Sequence, residues 1–169
     1  MKTINNILLL NDLVIFDFQL SNYNPIHILK NQTRNIANDA GLYLVFCKED
    51  INPEEKHLLY NINDIKYTLV YFGKAGGITK SGKKLVQGLN GRINNVISDS
   101  SRNLKDVKRG EYWKIVMEDN KISKLYIFCL KNENPTQIED SIYEDLGEKK
   151  YPLMNKKRGR RNTIKIKKI

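Results

Sequence analysis

Six residues of reactive type stand in order along the chain: Tyr43, Tyr71, Lys74, Arg92, Glu139 and Asn155. Tyr43 closes the triplet Gly41-Leu42-Tyr43, and Tyr71 opens Tyr71-Phe72-Gly73, so each tyrosine has a glycine two residues away, in opposite order. Between Tyr71 and Arg92 lie six of the chain's ten glycines, with Lys74, Lys80, Lys83 and Lys84 among them. Glycines let a backbone approach an anionic ligand closely, and lysines supply the charge that attracts one. Gathered in one place, residues of these types could bind a phosphate-bearing molecule and act on it.

Taken singly, the tyrosines, Glu139 and Arg92 each have a structural explanation. A tyrosine on a strand is an ordinary strand aromatic. Glu139 is an acid near a helix start, where the dipole favours it. Arg92 beside an apolar helical stripe is a side chain that lays its stem on the core and keeps its head in water. Their order and spacing together are more specific than any one of them.

The net charge of +10 is uneven. Residues 148–169 hold ten Lys/Arg against one acid, Glu148, leaving a net charge of only +1 for residues 1–147. A basic tail is either solvated or a contact with a phosphate backbone. At 169 residues the chain is expected to form one domain, with or without an appendage. No apolar run reaches the roughly 18 residues of a membrane span. The start lacks the features of a signal peptide. A cytoplasmic protein without a membrane partner is expected, with Cys47 and Cys129 as reduced core residues.

The elements that must position these residues follow from periodicity. Residues 3–20 mix helical and strand spacing, and residues 1–40 are set apart as an N-terminal extension. Residues 40–48 and 67–73 read as strands, being rich in aromatic and β-branched residues. Leu85, Leu89, Ile93, Val96 and Ile97 recur at helical spacing, predicting a helix over 84–98. Residues 111–118 and 123–131 read as two more strands, with Asn120 in the turn between them. Residues 136–150 read as a helix, with Thr136 as N-cap and Glu139 in the capping-box position. The expected fold is α+β, a small mixed or antiparallel sheet flanked by helices.

The set "GLY", "YFGKA", "GLNGRINN", "IEDSIY" and "PLMN" resembles the GIY-YIG nuclease superfamily over residues 41–157, leaving 158–169 as a basic tail. The 28 residues from Tyr43 to Tyr71 and the long glycine-lysine loop are similar to those of its compact type II restriction endonucleases. The departures are Leu42 and Phe72 in place of isoleucine, and Val96 where many members carry histidine. The glutamate is assigned to Glu139 on the match of "IEDSIY", with Glu144 in reserve; they lie 16 and 11 residues before Asn155.

The resemblance implies Mg2+-dependent hydrolysis of phosphodiester bonds in double-stranded DNA. Glu139 would hold the metal, and Arg92 would grip the scissile phosphate with its planar fork. Tyr43 would be the general base, with Tyr71 orienting water or phosphate, Lys74 favouring the phenolate, and Asn155 organising the site. A tyrosine pKa lowered from about 10 by about two units corresponds to about 2.7 kcal/mol, which nearby cations can supply. Lys80, Lys83, Lys84, Lys156, Lys157, Arg158, Arg160 and Arg161 would contact the DNA backbone. A homodimer would suit a palindromic target, although the sequence shows no dimer surface. The alternatives are a non-catalytic DNA-binding module with the same fold and an RNA-binding accessory protein.

Overall fold

Apolar, aromatic and β-branched side chains dominate the runs that form the centre of the sheet. The computed structural model describes residues 2–9, 14–21, 24–25, 39–51, 54–78, 81–93 and 109–155. In chain order these contain α1 (Lys2–Leu8), β1 (Val14–Ser21), β2 (Asn24–Pro25), β3 (Gly41–Cys47), a short 3-10 turn (Lys56–Leu58), β4 (Leu59–Ile62), β5 (Ile65–Ala75), α2 (Arg109–Asp119), β6 (Lys124–Lys131) and α3 (Pro135–Leu146). The sheet order is β2-β1-β6-β3-β5-β4, with every neighbouring pair antiparallel. The fold is thus α+β with an antiparallel sheet. Part of the opening segment belongs to it, because β1 pairs with β6 from Val14 opposite Cys129 to Gln19 opposite Lys124.

Strand alternation gives the sheet two apolar faces. One buries Tyr43, Val45 and Cys47 of β3 with Leu125, Ile127 and Cys129 of β6, and is covered by Leu89, Ile93, Trp113, Met117 and Met154. The other buries Leu42, Leu44 and Phe46 with Phe128 and Leu130, and is covered by Ile4 and Ile7 of α1 and Ile142 and Leu146 of α3. The backbone N–H of Thr3 donates to Asp145 Oδ2 at 2.7 Å, tying α1 to α3. The helix of 109–119 thus covers the face opposite α1 and α3.

Among the described residues the alternation breaks in β5. Val45 pairs with Tyr71 but Phe46 pairs with Leu69, so Val70 is an extra residue, a β-bulge in β5. Leu69 and Phe72 lie on the second face, whereas Val70 and Tyr71 both lie on the first. Without the extra residue, Tyr71 would share a face with Leu69 and would not meet Tyr43.

Five expectations are corrected. Residues 111–118 are not a strand but the body of α2. Trp113, Val116 and Met117 recur at three- and four-residue spacing and sink into one core, which a helix achieves and a strand cannot. Asn120 ends this helix rather than making a hairpin turn. Ile122 N–H bonds Met117 O at 2.8 Å and Lys121 N–H bonds Glu118 O at 3.2 Å, a Schellman closure with Lys121 at φ 54°.

The Thr136–Glu139 capping box does not form. Asn134 is the N-cap residue and Pro135, with its fixed φ, opens α3. The helix stops at Leu146, with Gly147 at φ 53° as its C-cap, rather than running to 150. The helix expected over 84–98 is helical at 89–93 among its described residues, while 85–88 are not. Leu85 N–H bonds Gly77 O at 2.9 Å, which holds that stretch in the loop. Val96 and Ile97 lie outside the described residues. Among the described residues no helix is long and apolar enough to cross a membrane.

Candidate active site

Strand β5 carries the centre of the candidate site. Tyr43 on β3 pairs directly with Gly73 on β5. Tyr43 and Tyr71 stack with ring centroids 5.7 Å apart and planes 29° apart. A Cβ on Gly73 would lie 2.8 Å from the Tyr71 ring and hydroxyl and 3.0 Å from the Tyr43 ring. The glycine is therefore the space into which both rings lean. Gly41 does the same for the helical segment at 89–93: a Cβ there would meet the Leu89 side chain at 2.5 Å. The two triplets thus have a packing reason for their glycines. Trp113 of α2 closes over Tyr71 at 5.1 Å between centroids. Tyr43 is 1% exposed and Tyr71 9%, so Tyr71 is the outer member of the pair.

Lys74 and Glu139 meet on the other side of β5. Lys74 follows Gly73 and aligns with Leu42, whose side chain lies on the second face. Lys74 Nζ lies 3.3 Å from Glu139 Oε2, and the two side chains are 25% and 19% exposed. It also donates to Thr136 Oγ1 at 3.0 Å, and Thr136 in turn donates to Ile78 O at 3.3 Å. Thr136 is thus a positioning residue in the first turn of α3. Of the two candidate acids, Glu139 is partly buried in this cluster and Glu144 is exposed.

The edge of β5 joins the two sides. β4 pairs only as far as Thr68, and the free edge beyond it is taken by residues 152–155. Met154 N–H bonds the carbonyl of the bulged Val70 at 2.8 Å. The Asn155 side chain then pairs with Phe72 like a short strand, accepting from its N–H and donating to its carbonyl, both at 2.9 Å. Asn155 is thereby fixed to the residue between Tyr71 and Gly73.

Tyr143, four residues after Glu139, packs edge-on against Phe72 at 4.9 Å and is hydrogen-bonded by the Asn155 side chain. Its hydroxyl is pushed up to about 12 by burial, then by the charge of Glu139 and by Tyr71, with Asn155 partly opposing. The proximity places Tyr143 among Glu139, Tyr71 and Asn155. Tyr143 belongs to none of the residues singled out in the sequence, although its spacing from Glu139 puts the two on one helical face.

Arg92 sits in the helical segment 89–93 between Leu89 and Ile93, both buried in the tyrosine core. Its Nε is buried and has no hydrogen-bond partner among the described residues. A buried guanidinium nitrogen without a partner is costly. Lys83 and Lys84 are exposed on the glycine loop, where Lys84 bridges to Ile78. Beside that loop is a groove of about 730 Å³, lined among others by Asp39, Gly76, Gly77, Lys84, Val86 and Glu133. Lys80, Lys156, Lys157, Arg158, Arg160 and Arg161 lie outside the described residues.

Among the described residues no three His, Cys, Asp or Glu side chains gather into a metal cage. Mg2+ does not require one, since it keeps several waters and is held by one or two carboxylates plus substrate phosphates. Glu139 fits that description: it is a partly buried carboxylate that already holds a cation, the ammonium of Lys74.

The chain matches no protein-family model, no curated protein and no solved structure.

Proposed function

We propose that the protein is a divalent-metal-dependent DNA endonuclease of the GIY-YIG type, acting as a type II restriction enzyme in the cytoplasm. The observation that carries this reading is that the residues gather around one strand, the tyrosine pair on one face of β5 and Lys74–Glu139 on the other, with Asn155 at the edge between them. Gly73 makes room for the stacked pair Tyr43–Tyr71, Lys74 beside it reaches Glu139, and Asn155 is pinned to Phe72 between them. These are five of the six residues singled out by order along the chain. Arg92, on the helical segment between Leu89 and Ile93, would complete the set as the phosphate grip.

In this mechanism Tyr71 is the hydroxyl that meets the attacking water, because it is the outer ring of the pair. Tyr43 backs it and holds its orientation by stacking. Asn155 and Tyr143 fix the β5 edge on which Tyr71 sits, and Arg92 binds the scissile phosphate through its guanidinium. Glu139 would hold Mg2+, which when bound offsets charge on the phosphoryl oxygens and on the departing 3′ oxygen. The exposed Lys83 and Lys84 would lie along the duplex backbone.

A non-catalytic DNA-binding module is the second reading. It is favoured by the Lys74–Glu139 pair, which satisfies the carboxylate without a metal.

Incubation of the pure protein with mixed plasmid DNA and Mg2+ separates the readings. Discrete fragments are expected. Binding without cutting would favour the module. Glu139→Gln should abolish cleavage and keep binding, whereas Glu144→Gln should cut at the parent rate. The reverse result would move the metal to Glu144.

A further inference from the structure

Lys74 is the internal cation of the proposed metal site. Its ammonium has three donors, and Glu139 and Thr136 take two of them. Both charged side chains are largely withdrawn from solvent, so their attraction is screened less than that of a surface pair. Thr136 is itself held by the carbonyl of Ile78, so Lys74 is fixed to the start of α3 and to the first turn of the glycine loop. A divalent cation arriving at Glu139 must compete with an ammonium already in contact with that carboxylate. Two cations at such a distance repel each other. The cost falls when Lys74 finds another anion, and the glycines that begin two residues on let the backbone there come close to a phosphate group.

From this arrangement we infer that Lys74 guards Glu139 and hands it over. In the free protein the ammonium holds the carboxylate and keeps divalent-cation affinity low. When a nucleic-acid phosphate engages Lys74, Glu139 becomes available, so cation and phosphodiester bind as a linked pair. This rests on the nuclease reading for the identity of the phosphate, but not for the guard itself. Linkage requires the effect to be reciprocal: the cation must raise duplex affinity by the same factor as the duplex raises cation affinity. An ordinary structural ion pair would show none of this coupling.

Calorimetric titration with Ca2+, a hard cation that takes the same oxygen ligands, tests the inference without turnover. Removing the ammonium in Lys74→Met should tighten Ca2+ binding to the free protein by about 5-fold or more, the lower end of usual coupling. Glu139→Gln in that background should remove the gain, and Lys74→Arg should keep the parent's weak binding. Saturating the parent protein with a short mixed-sequence duplex should give a comparable tightening, and Lys74→Met should gain little more from the duplex. Circular dichroism checks that each variant is folded. A folded Lys74→Met protein with parent affinity, or a gain that survives Glu139→Gln, overturns the guard. Parent Ca2+ affinity that does not change with a bound duplex overturns the hand-over. If no duplex binds, the DNA reading and the hand-over fall together, while the Lys74→Met arm still decides the guard.

Discussion

At the scale of single residues, the candidate site depends on what Gly73 leaves empty and on which ring lies outside. Stacked aromatic pairs gain from offset contact, and here the contact also orders the two hydroxyl-bearing rings from inside to outside. Tyr43 is buried behind Tyr71, so the ring expected from the resemblance to be the base is the less accessible of the two. Tyr71→Phe should therefore lose at least about 10²-fold in single-turnover cleavage, the lower end of general-base help, and Tyr43→Phe should lose less. Phenylalanine keeps both rings stacked, so circular dichroism should match the parent. Tyr143→Phe should impair cleavage as well, through Glu139 and Asn155. A Tyr71→Phe protein cutting at the parent rate while Tyr43→Phe is dead would return the proton to Tyr43. Cys47 and Cys129 have no part in this chemistry. Both are buried free thiols, and burial pushes their ionisation up, to about 12 for Cys47.

At the scale of elements, what could be read from the sequence divides by mechanism. β3, β5 and β6 announce themselves because their apolar runs are bounded by turn residues, whereas α3 was expected from a capping box that does not form. The bulge does not, since Leu69-Val70-Tyr71-Phe72 is apolar throughout and an extra residue leaves no mark on its pattern. Yet it decides which face Tyr71 occupies. α2 was hidden for another reason: Tyr112, Trp113, Ile115 and Val116 favour strands by type, and tertiary burial of Trp113 and Met117 overrides that preference. The site was legible as residues in order, but not as the two sides of one strand. Nothing local says that Lys74 and Glu139 share a face apart from Tyr71.

The Schellman end of α2 gives a stability test at this scale. Lys121 adopts φ 54°, where a side chain costs about 1–2 kcal/mol that glycine avoids. Glycine loses part of that through its greater freedom when unfolded. Lys121→Gly should raise the melting temperature by about 2–4 °C per kcal/mol retained. A lowered melting temperature would show that the Lys121 side chain makes a contact worth more than the strain.

At the scale of the whole molecule, salt should act through the C-terminal tail and pH through ties between distant segments. Deleting residues 158–169 removes Arg158, Arg160, Arg161, Lys165, Lys167 and Lys168. Each duplex phosphate that the shortened chain no longer neutralises should flatten the slope of log affinity against log salt by about 0.9, and an unchanged slope would show the tail to be only solvated. Acid should act instead on two ties between distant segments. Asp145 is held below the usual carboxylate range chiefly by the Thr3 N–H it accepts, with burial partly opposing. Glu49 is also lowered: burial works against its charge, but hydrogen bonds from Ser123 and nearby backbone prevail. A carboxyl with a depressed folded pKa stabilises fully above its unfolded pKa and loses that contribution as pH falls through the folded value. With unfolded values near 3.9 for Asp and 4.3 for Glu, stability should be level at neutral pH and fall below about pH 4.5. Urea unfolding across that range measures it. Asp145→Asn should be less stable than the parent at pH 7 and should lose less on acidification, because the amide no longer titrates. Parallel pH curves for the two proteins would show that the tie of α1 to α3 contributes nothing to the acid response.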